Sequence, residues 1–313
     1  MLKRFLTSIV IMAITVGFFA LRYVSPYLFD IYVGAIAICA TYEVCRVFEK
    51  NNKKLDKYFV LAYPILIYAM LMIAIHCDLG ELLYFALIIL LALVITLACY
   101  VKNLINRKKL NKEMVDLHFD GTLKRYVSNK ILRDIFVLIY PAFLLSLMFF
   151  VNHIAEFGYF GGNGDIQIGM LLLVMIFATT MATDTGAYLI GCGIRGKKLC
   201  PKISPNKTIS GAIGGIICSI VISLVLYIIF GSIDAYLSLF ATYNISIWTF
   251  LIYGVLASII SQMGDIYASL IKRQNGVKDY GNILPGHGGF MDRVDGISFN
   301  LVLTVIFAFF MFL

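Results

Sequence analysis

Apolar runs about as long as a bilayer is thick recur along this chain, and they restrict its fold more than any other feature. They lie at 5–21, 28–47, 58–76, 82–101, 131–152, 167–191, 209–230, 246–271 and 297–313. Backbone polar groups find no water in hydrocarbon, so a run that spans it pairs them internally as a helix. The expected fold is all-α: a polytopic integral membrane protein with about nine transmembrane helices. A length of 313 residues would suggest two soluble domains in an ordinary chain, but 61% hydrophobic residues override that reading. Five spans fall in 1–152 and four in 153–313, the latter with polar loops at 192–208 and 272–296. Lys3 and Arg4 precede the first run as in a signal peptide, but no small-x-small cleavage site follows it. It is read as a retained span.

The basic residues orient these spans. With the runs above, 25 of the 26 Lys and Arg residues fall at the N-terminus or in even-numbered connections and their edges, and Arg22 alone falls opposite. The positive-inside rule then predicts a cytoplasmic N-terminus and an outward C-terminus. The other side carries Asp78, Glu81, Glu156, Asp165 and Asp234. The long basic connection 102–130 suits an amphipathic surface helix, or equally a solvated loop. The seven cysteines are scattered without a CxxC pair, which argues against a disulfide framework or a thiolate metal centre.

Three carboxylates lie well inside the apolar runs, Glu43, Asp184 and Asp265, with Asp30 at a run edge. An ionised carboxylate in lipid is costly, so such a residue faces a cavity or a partner. All three fall in the half of the bilayer that holds the basic loops. Each alone could be a packing residue near the headgroups.

Two polar loops carry phosphate-like chemistry. Gly193–Gly215 combines glycines, five basic residues and the turn Ser204-Pro205-Asn206-Lys207-Thr208, then opens a helix. Amide groups at a helix N-terminus favour anions, and a lysine adds a point charge. The order of a Walker A loop is absent, and Gly211, Gly214 and Gly215 also suit close helix packing. Ser269–Gly296 begins with Lys272 and Arg273, continues through the turn Gly286, His287, Gly288 and Gly289, and ends with Asp292, Arg293 and Asp295. Glycines there allow close approach of a ligand. Asp292 and Asp295 share a face if the last helix starts before them. With Asp265 they form an oxygen-donor set of the kind that holds Mg²⁺ and shares it with phosphates, although capping of the last helix would also explain the pair.

Within Ser269–Asp295, the elements Ser269-x-x-Lys272-Arg273, Lys278-Asp279, Pro285-x-His287-Gly288-Gly289 and Asp292-Arg293-x-Asp295 keep the order and spacing of a known pattern. The segment resembles the phosphatidate cytidylyltransferases (CDP-diacylglycerol synthases), as do Asp184–Tyr188, Ser204–Thr208 and Gly264-Asp265. The resemblance covers about 184–296. One departure is Ser210, where the family often has Glu. The resemblance implies a reaction of CTP with phosphatidic acid, giving CDP-diacylglycerol and pyrophosphate with Mg²⁺, and leaves open a second cation. It implies Asp265, Asp292 and Asp295 as metal ligands, and these with Lys272 as the catalytic set. Asp184, Ser204, Lys207, Arg273, His287, Gly288 and Arg293 would contact substrate. The expected partners are CTP, phosphatidic acid and membrane lipid but not nucleic acid, with a homodimer open. A bacterial inner membrane with a cytoplasmic active site is the expected location. The alternatives are a CTP-dependent lipid kinase, which would release CDP, and a membrane transporter built on the same intramembrane acids.

Overall fold

The computed structural model describes residues 2–116, 122–157, 166–284, 286 and 288–311. Twelve α-helices account for almost all of the described chain: α1 (Leu2–Val24), α2 (Pro26–Lys50), α3 (Lys57–His76), α4 (Glu81–Ile105), α5 (Arg107–Asp116), α6 (Leu123–Val137), α7 (Leu144–Asn152), α8 (Ile166–Ile194), α9 (Ile209–Gly231), α10 (Asp234–Thr242), α11 (Ile247–Gln274) and α12 (Met291–Met311). Eight stretches are long and apolar enough to cross a membrane, with α6 and α7 counted as one, and α1 adds the shorter apolar stretch Ile9–Val24. The chain is an integral membrane protein of the all-α class.

The differences from the sequence reading lie in the connections. The basic connection after α4 holds a helix, α5, whose Leu110 packs with Tyr126 and Val127 of α6. The fifth span therefore starts at Leu123 rather than 131. It is broken at Leu138–Phe143, where Tyr140 leaves helical angles (φ −123°, ψ 114°) before Pro141, whose nitrogen carries no proton for the helix ladder. A short antiparallel hairpin, β1 (Lys198–Cys200) and β2 (Ser204–Thr208), stands in the loop before α9. The last helix starts at Met291, so Asp292 and Asp295 lie on it one turn apart.

Two compact units make up the fold, and each draws on two separate stretches of sequence: Met1–Phe149 with Asn275–Asp292, and Phe150–Gln274 with Arg293–Leu313. In the first unit α2 is the central element. Phe29, Val33, Ala37, Ala40 and Val44 recur at three- and four-residue steps and are fully or almost fully buried. Thr15 of α1 meets the Tyr32 hydroxyl of α2 at 2.8 Å, and Phe18 stacks on the same ring. The start of α3, the end of α4 and the body of α6 are tied by charge at Asp56. Its carboxylate takes Lys102, Lys130 at 3.1 Å and the Asn103 amide at 3.1 Å, while its own N–H donates to Asp134 at 2.8 Å. In the second unit, glycines set the spacing of the helices. A Cβ on Gly214 of α9 would lie 2.6 Å from Ile190 of α8, and one on Gly254 of α11 would lie 2.5 Å from Ser223 of α9. Helices in lipid gain contact by such close approach, since there is no water to expel.

Burial pushes the Asp56 carboxyl up, but Lys102 and Lys130 outweigh it and hold the pKa below the ordinary carboxylate value. A depressed folded-state pKa contributes stability that is complete above the unfolded value and is lost as pH falls through the folded one. Asp56→Asn leaves the buried Lys130 and the more exposed Lys102 short of a counter-charge, an effect of about 2 kcal/mol. The variant is expected to melt several degrees below the wild type at neutral pH in detergent. That gap should close as the pH is lowered below about 4.

Candidate functional site

The second unit gathers charged groups around a cavity of about 720 Å³, lined among others by Asp184, Arg195, Lys198, Lys207, Gln262 and Asp265. The hairpin forms one wall. Thr208 caps α9, its hydroxyl accepting from the Gly211 N–H at 3.1 Å. Ser210 donates to that hydroxyl at 3.2 Å and accepts from the Gly196 N–H at 3.3 Å. The serine at this position thus ties the turn after α8 to the start of α9. Arg273, at the end of α11, donates through Nε to the Ile203 carbonyl at 3.3 Å and braces the hairpin turn. So held, β2 presents Lys207, whose ammonium lies 3.0 Å from Asp265 Oδ2. Ser204 opens the same strand and is half-buried.

Three helices of this unit bring acids to the same place: α8 supplies Asp184, α11 Asp265 and α12 Asp295. Asp265 and Asp295 lie within hydrogen-bonding reach of each other, and Asp184 interacts electrostatically with both. Lys272 is the cation that acts on Asp295, and Arg293 acts with Lys207 on Asp184. Missing side chains make this convergence possible. A Cβ on Gly264 would lie 2.8 Å from the Asp295 carbonyl, and one on Gly296 would lie 2.5 Å from Ser261 Oγ and 3.2 Å from Asp265 Oδ1. Like charges this close require a shared proton or a cation between them. The donor set fits a hard divalent ion, because it consists of carboxylate oxygens with cationic side chains beside it for phosphate. The Ser261 hydroxyl points into this contact, buried and without a hydrogen-bond partner.

The remaining site residues belong to the first unit. Gly286 and Gly288 adopt φ of +77° and +82°, a region that other residues avoid, and the Leu284 N–H closes the turn onto the Gly288 carbonyl at 3.0 Å. Asp292 holds this loop: its Oδ2 accepts from the N–H of Gly289 and of Tyr280, each at 2.9 Å. A residue read as a metal ligand therefore has at least one oxygen engaged in closing the turn. His287 lies outside the described residues. Glu43, which the sequence marks only as an acid in a span, reaches this loop from α2, where its Oε2 accepts from the Met291 N–H at 2.9 Å. The signal that could have found it is an intramembrane acid in a chain whose later loop has glycines at 281 and 289.

Among the described residues, the group of three ligand-type atoms found within 4.8 Å of one another is Asp56, Cys99 and Asp134, not the acids of the cavity. Lys102, Lys130 and Asn103 already take up the Asp56 carboxylate, so this cluster is an ion-pair network.

The family model described as "Cytidylyltransferase family" matches residues 2–311. A phosphatidate cytidylyltransferase of Brucella suis is 39% identical over 145 residues, 46% of this chain and 49% of that protein. Proteins of the same name from Staphylococcus saprophyticus and Staphylococcus aureus are 43% and 42% identical, over 44% of this chain and 49% of theirs. The chain thus spans about half the length of the curated relatives it matches.

The acid cluster can be probed without any reaction. Titration with Mn²⁺ followed by electron paramagnetic resonance is expected to show a bound ion in the wild type. Asp265→Asn should weaken that binding at least about tenfold. Equal binding by the two proteins would remove Asp265 from the ligand set.

Proposed function

Because the chain belongs to the cytidylyltransferase family, we propose that it transfers the cytidylyl group of CTP to phosphatidic acid, giving CDP-diacylglycerol and pyrophosphate. The observation that carries this reading is the pairing of Asp265 with Lys207 and Asp295 at the edge of a cavity roomy enough for a phosphorylated substrate. Relatives named phosphatidate cytidylyltransferase support the choice of substrates.

In this reaction an oxygen of the lipid phosphate attacks the α-phosphorus of CTP, the bond to the β-phosphate oxygen breaks, and pyrophosphate departs with that electron pair. A phosphate monoester is already ionised near neutral pH, so no general base is required. The chain contributes positioning and charge. Asp265 and Asp295, with Asp292 one turn earlier on α12, would hold Mg²⁺, which when bound neutralises phosphate charge. Lys207, Lys272, Arg273 and Arg293 contact the phosphates in our reading. Asp184 lines the cavity, and Ser204 with the Gly286–Gly289 turn, His287 included, donates hydrogen bonds. Lys207 exchanges Asp265 for substrate phosphate when substrate enters, so the ion pair keeps both groups solvated by charge until then. The location we infer is a bacterial inner membrane with the site on the cytoplasmic side, as the distribution of basic residues indicates.

Purified protein with phosphatidic acid, CTP labelled in the cytidine and Mg²⁺ is expected to move label into the lipid phase. Asp265→Asn should lower that rate at least about a hundredfold. Chelation of divalent ions should abolish it. CDP released without labelled lipid would instead identify a CTP-dependent lipid kinase.

A further inference from the structure

Glu43 does not line the charged cavity. It sits in the apolar stretch of α2 and is 1% exposed. Its Oε2 accepts from the backbone N–H of Met291 at 2.9 Å, while Oε1 is buried without a hydrogen-bond partner. Met291 is the first residue of α12, so the acid also meets the positive end of that helix. The loop is shaped to receive it. A Cβ on Gly281 would lie 2.7 Å from Glu43 Cδ, and one on Gly289 would lie 2.6 Å from the same atom. Neither glycine has a positive φ, so the space taken by Glu43 is what excludes a side chain at both positions. Farther along α2 the Asn51 side chain donates to the Asn275 carbonyl, and Lys53 in the following turn donates to the Asn275 side chain at 2.8 Å. The loop is thus anchored where it begins and again where it ends. Between the anchors, the N–H groups of Tyr280 and Gly289 converge on Asp292.

We propose that Glu43 is a positioning residue: its carboxylate fills the gap left by Gly281 and Gly289, fixes the 280–291 loop, and through that loop sets the carboxylate of Asp292. The inference rests on the cytidylyl-transfer reading only in giving the loop and Asp292 a part in that reaction. The placement of the loop is a matter of geometry alone.

The test combines amide hydrogen–deuterium exchange with the transfer assay on the full chain. Glu43→Ala is expected to speed exchange over Tyr280–Met291 by at least about tenfold while leaving Gly193–Gly215 unchanged, since a local opening should be confined to what the contact holds. Where Glu43→Ala does not fold, Glu43→Leu, which keeps the bulk but removes the acceptor, carries the same comparison. Gly289→Ala should behave like Glu43→Ala, and Glu43→Asp, one methylene shorter, should restore part of the activity lost by Gly289→Ala. In kcat/KM, Glu43→Ala combined with Asp292→Asn should lose no more than Asp292→Asn alone, because both act at one point. Unchanged loop exchange, multiplying losses, or a Gly289→Ala variant that works normally beside Glu43 would each overturn the proposal. If the wild type transfers no label, the reaction assignment fails, while the exchange measurement still decides the role of Glu43.

Discussion

A carboxylate within an apolar helix cannot stand alone, and much of this structure follows from how it meets that requirement. Three acids in the second unit come together with a lysine brought in by a hairpin. The acid of α2 is met by the backbone N–H of Met291 instead. Asp56, at the end of its span, is met by two ammonium groups. Each solution dictates something about the surrounding chain. The lysine needs a hairpin held by Ser210, Thr208 and Arg273. The backbone donor needs a loop with room for a foreign side chain. The two ammonium groups need the end of α4 and the middle of α6 beside the start of α3.

Glycine is the common means. Helices in water can be driven together by burying apolar surface, but in lipid they must gain from contact itself. Here the contacts of α8 with α9, of α9 with α11 and of α11 with α12 all run through positions where a Cβ would collide. The approach of α11 to α12 has a chemical result, because it places Asp265 and Asp295 within hydrogen-bonding reach. Electrostatic preorganisation of this kind depends on backbone spacing as much as on the charged residues.

The apolar runs were legible because a spanning helix has a fixed length and no freedom to hide polar backbone. Asp265, Asp295 and Lys207 were legible as chemistry, and the charge distribution made the basic loops stand out. Three things were not legible. The hairpin β1–β2 is too short to leave an alternating pattern, with three and five residues per strand. The early start of α6 was hidden because Lys124, Arg125 and Lys130 give its first turns the look of a loop. The engagement of Asp292 with two loop amides depends on turn geometry, which residue spacing along a helix does not reveal.

The anchoring of the glycine loop also has a consequence for how the molecule is made. Glu43 and Met291 are 248 positions apart, whereas α8, the hairpin and α9 follow one another directly. Contacts that are near in sequence form first, and long loops close late. During synthesis α8 and α9 can pair as soon as both have emerged, but α2 waits with a buried acid that has no backbone donor from α12 until residue 291 exists. The first unit is therefore completed only after the helices α8 to α11 of the second unit have been made, and the nascent chain carries the buried acid of α2 without that donor throughout their synthesis.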